Sequence, residues 1–350
     1  MEPSCVRQNL IPGTTKLFSD FLYNFDRVSG FYPHAPFDFD SVHAVARHLN
    51  YPASRRCALV DALRQQNNAQ EALEKLSRPE TIAVVTGQQV GLFSGPAYTI
   101  FKALTAVRIA RELDQQGIPA VPIFWLATED HDLAEVDHAW VFDHEGTPRK
   151  IAVTNTVVNG GPVGDVQFNE MPLRELRNAL GDLPFADDVM VRVARAYRPG
   201  FTFGAAFRNL LQDTLQTCGL LYLDPLAPPV RQIAAPLLAD TVQRLPELLD
   251  ALRGRNTELR DAGYHQQVHI EDDSSLLFLL ADGKRIPLRW NGTQLAARDR
   301  SFRPAELAAS PELLSPNALL RPVMQDYLFP TVIYVGGPAE TAYMAQSQVL

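Results

Sequence analysis

Four consecutive polar residues, Glu129-Asp130-His131-Asp132, place three carboxylates around one imidazole. Carboxylates that close favour a charged ring, so His131, oriented by Asp130, is expected to serve as an acid/base group or a charged clamp. Plainer roles compete: Asp132 as a helix cap, Glu129 as the partner of an arginine. His131, Glu135 and His138 also fall at helical spacing, which could supply one face with ligands for zinc or manganese, although Ala134 and Val136 between them equally suit a helix packed beside strands.

Upstream, Gly87-Gln-Gln-Val-Gly-Leu-Phe-Ser-Gly-Pro96 spaces three glycines four apart. Gly91 and Gly95 permit tight turns beside a helix N-terminus, and exposed amides there welcome anions, with Gln88, Gln89 and Ser94 adding polar side chains. The loop matches neither the phosphate loop, which needs Lys-Ser or Lys-Thr after its last glycine, nor the dinucleotide fingerprint. Tyr98 and Lys102, four apart, project from one helical face next to it. Lys102 could meet phosphate or carboxylate oxygens; the alternative is a solvated lysine lying along a packed tyrosine. Near the end of the sequence, Tyr334-Val-Gly-Gly-Pro-Ala-Glu340 repeats the order strand, glycine, proline, helix, and Arg321 and Gln325 precede it. Arg321, Tyr334, Gly336, Gly337 and Glu340 therefore form an expected second wall, against a helix cap for Glu340 and a surface ion pair for Arg321.

These residues need strands to carry them. Thr81-Ile-Ala-Val-Val-Thr-Gly87 reads as a buried strand, residues 97–116 as a helix opened by Pro96, and residues 120–127 as the next strand, which is the crossover unit of a parallel sheet. A helical lead-in over residues 1–80 precedes this first half of a nucleotide-fold core (81–138), with its helices between 40 and 76. Residues 139–200 read as a first insertion: short strands with turns such as Asn159-Gly160-Gly161-Pro162, then helices near 173–180 and 189–197. The core resumes over 201–260, with a helix at 203–217, the strand Leu220-Leu-Tyr-Leu-Asp224, and helical residues 230–259 interrupted at Pro236 and Pro246. Alternation from 265 to 290 marks a second insertion (261–300). A buried strand at 330–337 and a helix with no stop signal before Leu350 close the sequence (301–350), as though it ended within an element. In open α/β sheets ligands bind outside the carboxyl ends of strands, so the loop and the acid/histidine cluster should face one crevice.

Composition sets the bounds. A 350-residue chain with 46% hydrophobic and 21% charged residues is globular material, large enough for more than one domain. A formal net charge of -8 argues against a nucleic-acid partner. Cys5, Cys57 and Cys218, scattered and odd in number, argue against a disulfide framework and a cysteine-ligated metal, and fit a reducing cytoplasm. No stretch approaches the roughly 18 uninterrupted apolar residues of a membrane span, so no membrane partner is expected.

Three blocks resemble the bacillithiol-biosynthesis cysteine-adding enzymes, the BshC cysteine ligase family. They are Thr86-Gly-Gln-Gln-Val-Gly-Leu-Phe-Ser-Gly-Pro-Ala-Tyr-Thr-Ile-Phe-Lys102, Pro122-Ile-Phe-Trp-Leu-Ala-Thr-Glu-Asp-His-Asp-Leu-Ala-Glu135, and Leu320-Arg-Pro-Val-Met-Gln-Asp-Tyr-Leu-Phe-Pro-Thr331 with Tyr334-Val-Gly-Gly-Pro-Ala-Glu340. The resemblance implies a ligase that joins the carboxyl of L-cysteine to the amine of glucosaminyl-malate in the last step of bacillithiol synthesis. It also implies a Rossmann-like α/β core with two connecting inserts, laid out like class I aminoacyl-tRNA synthetases, and a homodimer through a C-terminal coiled coil that this sequence lacks. Ala339 stands where the family pattern has glycine. Within the blocks Trp125, Glu129 and Asp132 join the binding candidates.

Joining a free carboxylate to an amine is uphill in water, so such a ligase first turns the carboxylate into a good leaving group, and ATP is the expected cofactor, with ADP or AMP as product. The glycine loop and Lys102 are then expected to hold phosphates or the substrate carboxylate, and His131 to take the proton of the attacking amine. Two other readings remain open: a metal-dependent hydrolase built on His131, Glu135 and His138, and a non-catalytic nucleotide- or sugar-binding protein.

Overall fold

The computed structural model describes residues 6–154, 160–168 and 170–350, so the expected turn residue Asn159 and Cys5 lie outside the described residues. Four parallel strands build the central sheet: β1 (Ile82–Gln88), β2 (Ala120–Leu126), β3 (Leu221–Leu223) and β4 (Thr331–Val335), in the order β4-β1-β2-β3. The near-continuous apolar runs of β1 and β2 follow from burial on both faces. Ala83, Val85, Val121, Ile123 and Trp125 point into one core, and Ile82, Val84, Ala120 and Phe124 into the packing on the other face. β4, one of the two edge strands, is half-buried throughout and not the fully buried strand its sequence suggests.

Helix α1 (Tyr98–Gln115) joins β1 to β2 and lays Ala103, Ala106, Val107, Ala110 and Leu113 on the sheet. Small residues along that stripe let the helix come close. Gly117, at a φ of +83°, ends it where a side chain would be strained. On the opposite face pack the lead-in helices Ala53–Arg64 and Gln70–Leu76 and the paired helices α2 (Pro228–Gln243) and Leu245–Asp261. Buried Arg56 ties the lead-in to β1 by donating to the carbonyls of Leu76, Pro79 and Thr81.

The two expected insertions carry small elements of their own. The first contains the antiparallel hairpin His138–Phe142 with Pro148–Ala152 and then helices Leu173–Leu180 and Ala186–Ala196. The strands of the second start at Leu277, later than expected, and form two small antiparallel sheets. Leu277–Ala281 lies between Lys284–Pro287 and Leu314–Pro316, while Leu295–Ala297 lies between Arg289–Trp290 and Arg300–Phe302. Pro236 does not interrupt α2; the break comes at Arg244, and Pro246 opens the next helix, where a missing amide costs nothing. The last helix, α3 (Pro338–Ser347), closes before Leu350.

Candidate active site

Register decides which residues meet. Gln88 lies opposite Leu126, and the amide of Ala127 donates to the carbonyl of Gln88 at 3.0 Å, so the segments leaving β1 and β2 start side by side. Gln89 then reaches across: its Nε2 donates to Asp130 Oδ2 at 2.6 Å and to Glu135. Its neighbour Gln88 turns the other way, its Oε1 accepting from Lys102 Nζ at 3.3 Å and its Nε2 lying 3.4 Å from the Tyr98 hydroxyl. The glycine-loop wall and the histidine wall therefore share one edge of the sheet.

Lys102 is spent on this rim. Its Nζ donates to the carbonyl of Gly87 at 2.7 Å and to Glu340 Oε1 at 2.6 Å, with both side chains mostly buried. Glu340 also accepts from the Tyr334 hydroxyl at 2.9 Å and, through Oε2, from the amide of Gly337, so it caps α3 and neutralises Lys102 at once. Arg321, at the start of helix Leu320–Leu328, lies against the rings of Tyr334 and Tyr343 and donates to Gln325 and the Tyr343 hydroxyl. Among the described residues it makes no ion pair, so the surface-pair alternative does not hold. Burial works against its charge, yet Tyr334, Tyr343 and Glu340 together hold its pKa above the ordinary value. Burial pushes the Tyr334 phenol well up. Gly336 is needed because a Cβ there would sit 2.8 Å from the Tyr334 ring.

The acidic tetrad spreads out instead of crowding the imidazole. Glu129 turns inward to Arg231 Nη1 at 3.2 Å, and burial raises its pKa despite the charges of Arg231 and Arg285. Asp132 caps the turn Leu133–Glu135 through the amide of Ala134. Asp130 alone of the three stays with the ring: Oδ1 accepts the His131 amide at 2.7 Å and lies 3.6 Å from His131 Nδ1. Burial would push Asp130 up, but hydrogen bonds from His131 and Gln89 and the charge of Arg285 hold it well below the usual carboxylate range.

Arg285, from the second insertion, has no counterpart among the sequence candidates. Its Nη1 lies 3.1 Å from His131 Nδ1, its Nε donates to Ser315 Oγ at 3.1 Å, its Nη2 donates to the carbonyl of Pro316 at 2.7 Å, and its plane lies over Phe278. Two further residues escaped the sequence reading. Thr128 donates to Asp224 at 2.5 Å, joining the ends of β2 and β3, and Gly164 presses on Thr128 so closely that a Cβ would come within 2.4 Å of its Cβ. Hydrophobic patterning carries no signal for such pairings, although the acid at the end of β3 was itself visible.

Several expectations are corrected. Trp125 is 1% exposed and packs edge-on against Phe329, so it is a core residue and lines no crevice. Ser94 is buried, with its hydroxyl directed to the carbonyl of Phe207. Four amides of the glycine loop are not free for an anion: those of Gly91, Leu92, Ser94 and Gly95 bond the carbonyls of Gln89, Val136, Gly91 and Leu92. Gly91 is required by closeness, since a Cβ there would lie 2.5 Å from the carbonyl oxygen of Gly95. His138 lies in a strand, paired with Asp137 at 2.9 Å, so the helical spacing behind the metal reading is absent; among the described residues no three His, Cys, Asp or Glu side chains gather as a metal-holding group. Two cavities, of about 370 Å³ beside Asn67, Gln212 and Tyr222 and about 510 Å³ beside Arg253, Asp273 and Trp290, are lined by none of the rim residues.

A parallel sheet with its polar residues gathered past the carboxyl ends is the setting of many nucleotide folds, so the fold alone does not choose among them. The deciding observation is that the family model "Bacillithiol biosynthesis BshC, N-terminal Rossmann-like domain" matches residues 1–349. The chain belongs to the BshC family. Relatives named "Putative cysteine ligase BshC" include one from Solibacter usitatus, 50% identical over all of this chain and 67% of its own length. Another, from Koribacter versatilis, is 38% identical over all of the chain and 67% of its own length, and one from Salinibacter ruber is 35% identical over 94% of the chain and 63% of its own length. The chain thus spans about two thirds of the relatives it matches. BshC relatives carry the name of a ligase, and the chain is an enzyme of that class, with the Rossmann-like α/β fold of the family. No helix among the described residues is long and apolar enough to cross a membrane.

Proposed function

We propose that the chain joins the carboxyl of L-cysteine to the amine of glucosaminyl-malate, the last step of bacillithiol synthesis, after ATP has activated the cysteine carboxylate. The observation that carries this reading is the continuous rim from Lys102 through Gln88 and Gln89 to Asp130 and His131, in a chain of a family named for that pathway. One edge then offers a cation for oxygens and a titratable ring for an amine.

The rim fits a nucleotide's phosphates chiefly through side-chain cations, because the amides of Gly91, Leu92, Ser94 and Gly95 are already bonded. Lys102 is the group placed to hold them, with Gln88 and Tyr98 beside it and Arg321 behind Tyr334. What ATP supplies is a leaving group on the carboxylate. The protein's own task is to hold negative charge as it grows and to keep the partners aligned. For the amine to attack it must lose a proton, and His131 is the proposed acceptor, oriented by Asp130. In the structure an arginine N–H faces His131 Nδ1, which makes that nitrogen an acceptor and places the proton of the neutral ring on Nε2, so here Asp130 positions His131 through its backbone amide and not through the ring. Base chemistry at Nδ1 therefore requires Arg285 to move away.

The test is reconstitution: purified protein with L-cysteine and glucosaminyl-malate, with and without ATP, and the thiol product read by mass spectrometry. Product only with ATP is expected. Product without ATP overturns the activation step, and no product in either case, together with unchanged thiols in a deletion strain, overturns the ligase assignment. The cytoplasm is the proposed location, and a homodimer through further sequence of the relatives is the proposed assembly.

A further inference from the structure

Arg285 is held on three sides. Ser315 Oγ takes its Nε, the Pro316 carbonyl takes Nη2, and Phe278 lies under the guanidinium with the Arg285 carbon 3.7 Å from the ring centroid. Its backbone amide is fixed as well, donating to the carbonyl of Gly160 from the first insertion at 2.8 Å. A guanidinium restrained in this way keeps its fork direction and loses little freedom when it binds. Among the described residues, no carboxylate lies within ion-pair distance of it, in contrast to Lys102 with Glu340 and Arg231 with Glu129. What it faces is the neutral-type acceptor His131 Nδ1 at 3.1 Å. A cation so placed satisfies one N–H on the imidazole and leaves its charge without a direct counter-ion. The planar fork matches an oxyanion with two oxygens much better than it matches a ring nitrogen.

We propose that Arg285 is the receptor for an oxyanion of the substrate, a carboxylate or a phosphate, and that this oxyanion replaces His131 Nδ1 as its partner. Before binding, the arginine occupies the lone pair that His131 needs in order to accept a proton. When the oxyanion takes the guanidinium, Nδ1 is released at the moment the substrate is in place. The exchange couples recognition to readiness: the imidazole is engaged until an acidic substrate is bound. Glu129 does not compete for Arg285, since it is paired with Arg231, and Asp130 is held by Gln89 and the His131 amide. The consequence for the imidazole rests on the proposed ligase reading; the oxyanion site does not.

The experiment titrates L-malate and, separately, inorganic phosphate into the wild-type protein and into Arg285→Lys and Arg285→Gln, following heat of binding and the ring-nitrogen resonances of histidines in protein carrying labelled histidine. Expected is binding of at least one probe with a shift of the His131 resonances, a loss of affinity of about tenfold or more in Arg285→Gln, and partial retention in Arg285→Lys. Malate binding that depends on Arg285 assigns the site to a substrate carboxylate; phosphate binding that depends on it assigns the site to a phosphoryl group. Should neither variant fold, the wild-type His131 resonances still decide, with assignment by their absence in His131→Gln. If both probes leave those resonances in place, or bind equally well without the guanidinium, the inference is overturned. Arg285-dependent binding in a protein that makes no thiol product would remove the ligase reading and leave the oxyanion site standing.

Discussion

At Lys102 two demands meet on one ammonium group. Glu340 neutralises it at 2.6 Å, so a phosphate or carboxylate entering the rim must share the lysine or displace the glutamate. Removing one member of a mostly buried pair strands the other, at about 1–3 kcal/mol here, below the cost for a fully buried pair because water still reaches both groups. Lys102→Met is therefore expected to lower the unfolding midpoint and to cut turnover by about 100-fold. In Lys102→Met/Glu340→Gln the stability should return while turnover stays low; joint recovery of both would make the lysine purely structural. Asp130 makes a second, pH-dependent case. Its carboxyl is held below the unfolded value of about 3.9. Such a group adds stability above the unfolded pKa and loses that contribution as pH falls through the lower folded one. Urea unfolding should show Asp130→Asn less stable than wild type at pH 5–7, with the gap narrowing below about pH 4. A gap of constant size down to the acid limb would show that the hydrogen-bonded carboxylate has no such role.

Between elements, the closest approach at the site is Gly164 on Thr128, which lets the middle of the first insertion press on the end of β2 while Gly204 packs onto the Gly164 carbonyl. A methyl group at 164 overlaps Thr128 and has no flexible neighbour to push aside, so Gly164→Ala is expected to cost about 1–3 kcal/mol by overpacking. It should also lower turnover, since Thr128 carries the bond to Asp224 and leads directly into Glu129-Asp130-His131. Urea midpoints and steady-state rates check both parts; an unchanged midpoint would mean that the seam is looser than its geometry. Elements of this kind were readable where the signal is local. Apolar runs and proline or glycine stops located the four core strands, α1 and the helix Leu173–Leu180, because period and punctuation depend on neighbours in sequence. The site was readable only in part. The loop and the His131 cluster come from segments that follow adjacent strands, so parallel-sheet logic brings them together. Arg285 meets His131 across 154 residues, through an insertion whose register no local pattern fixes. Trp125 misled for the same reason, since a strand buried on both faces gives no alternation to tell core from crevice.

Seen whole, an acidic molecule sets four of its 32 lysines and arginines around one rim. The formal net charge is -8, yet Lys102, Arg231, Arg285 and Arg321 all lie on or beside the rim past the carboxyl ends of the sheet, contributed by α1, α2, the second insertion and the segment before β4. Folding is what assembles this field, so a ligand that uses it binds the folded chain and not the unfolded one. Linkage then makes binding visible without any turnover: a ligand at a hundredfold excess over its dissociation constant stabilises by about 2.7 kcal/mol, which for a chain of this size moves the thermal midpoint by several degrees. Magnesium ATP is expected to raise the midpoint of the wild-type protein and to raise that of Lys102→Met much less, with magnesium chloride alone as the control for the ion. A rise of equal size in both would place the nucleotide away from Lys102, and the cavity beside Asn67, Gln212 and Tyr222 is then the next place to look. Absence of any rise in the wild type at millimolar nucleotide would leave the rim without its proposed activating partner, and carboxylate activation would have to be sought in another donor.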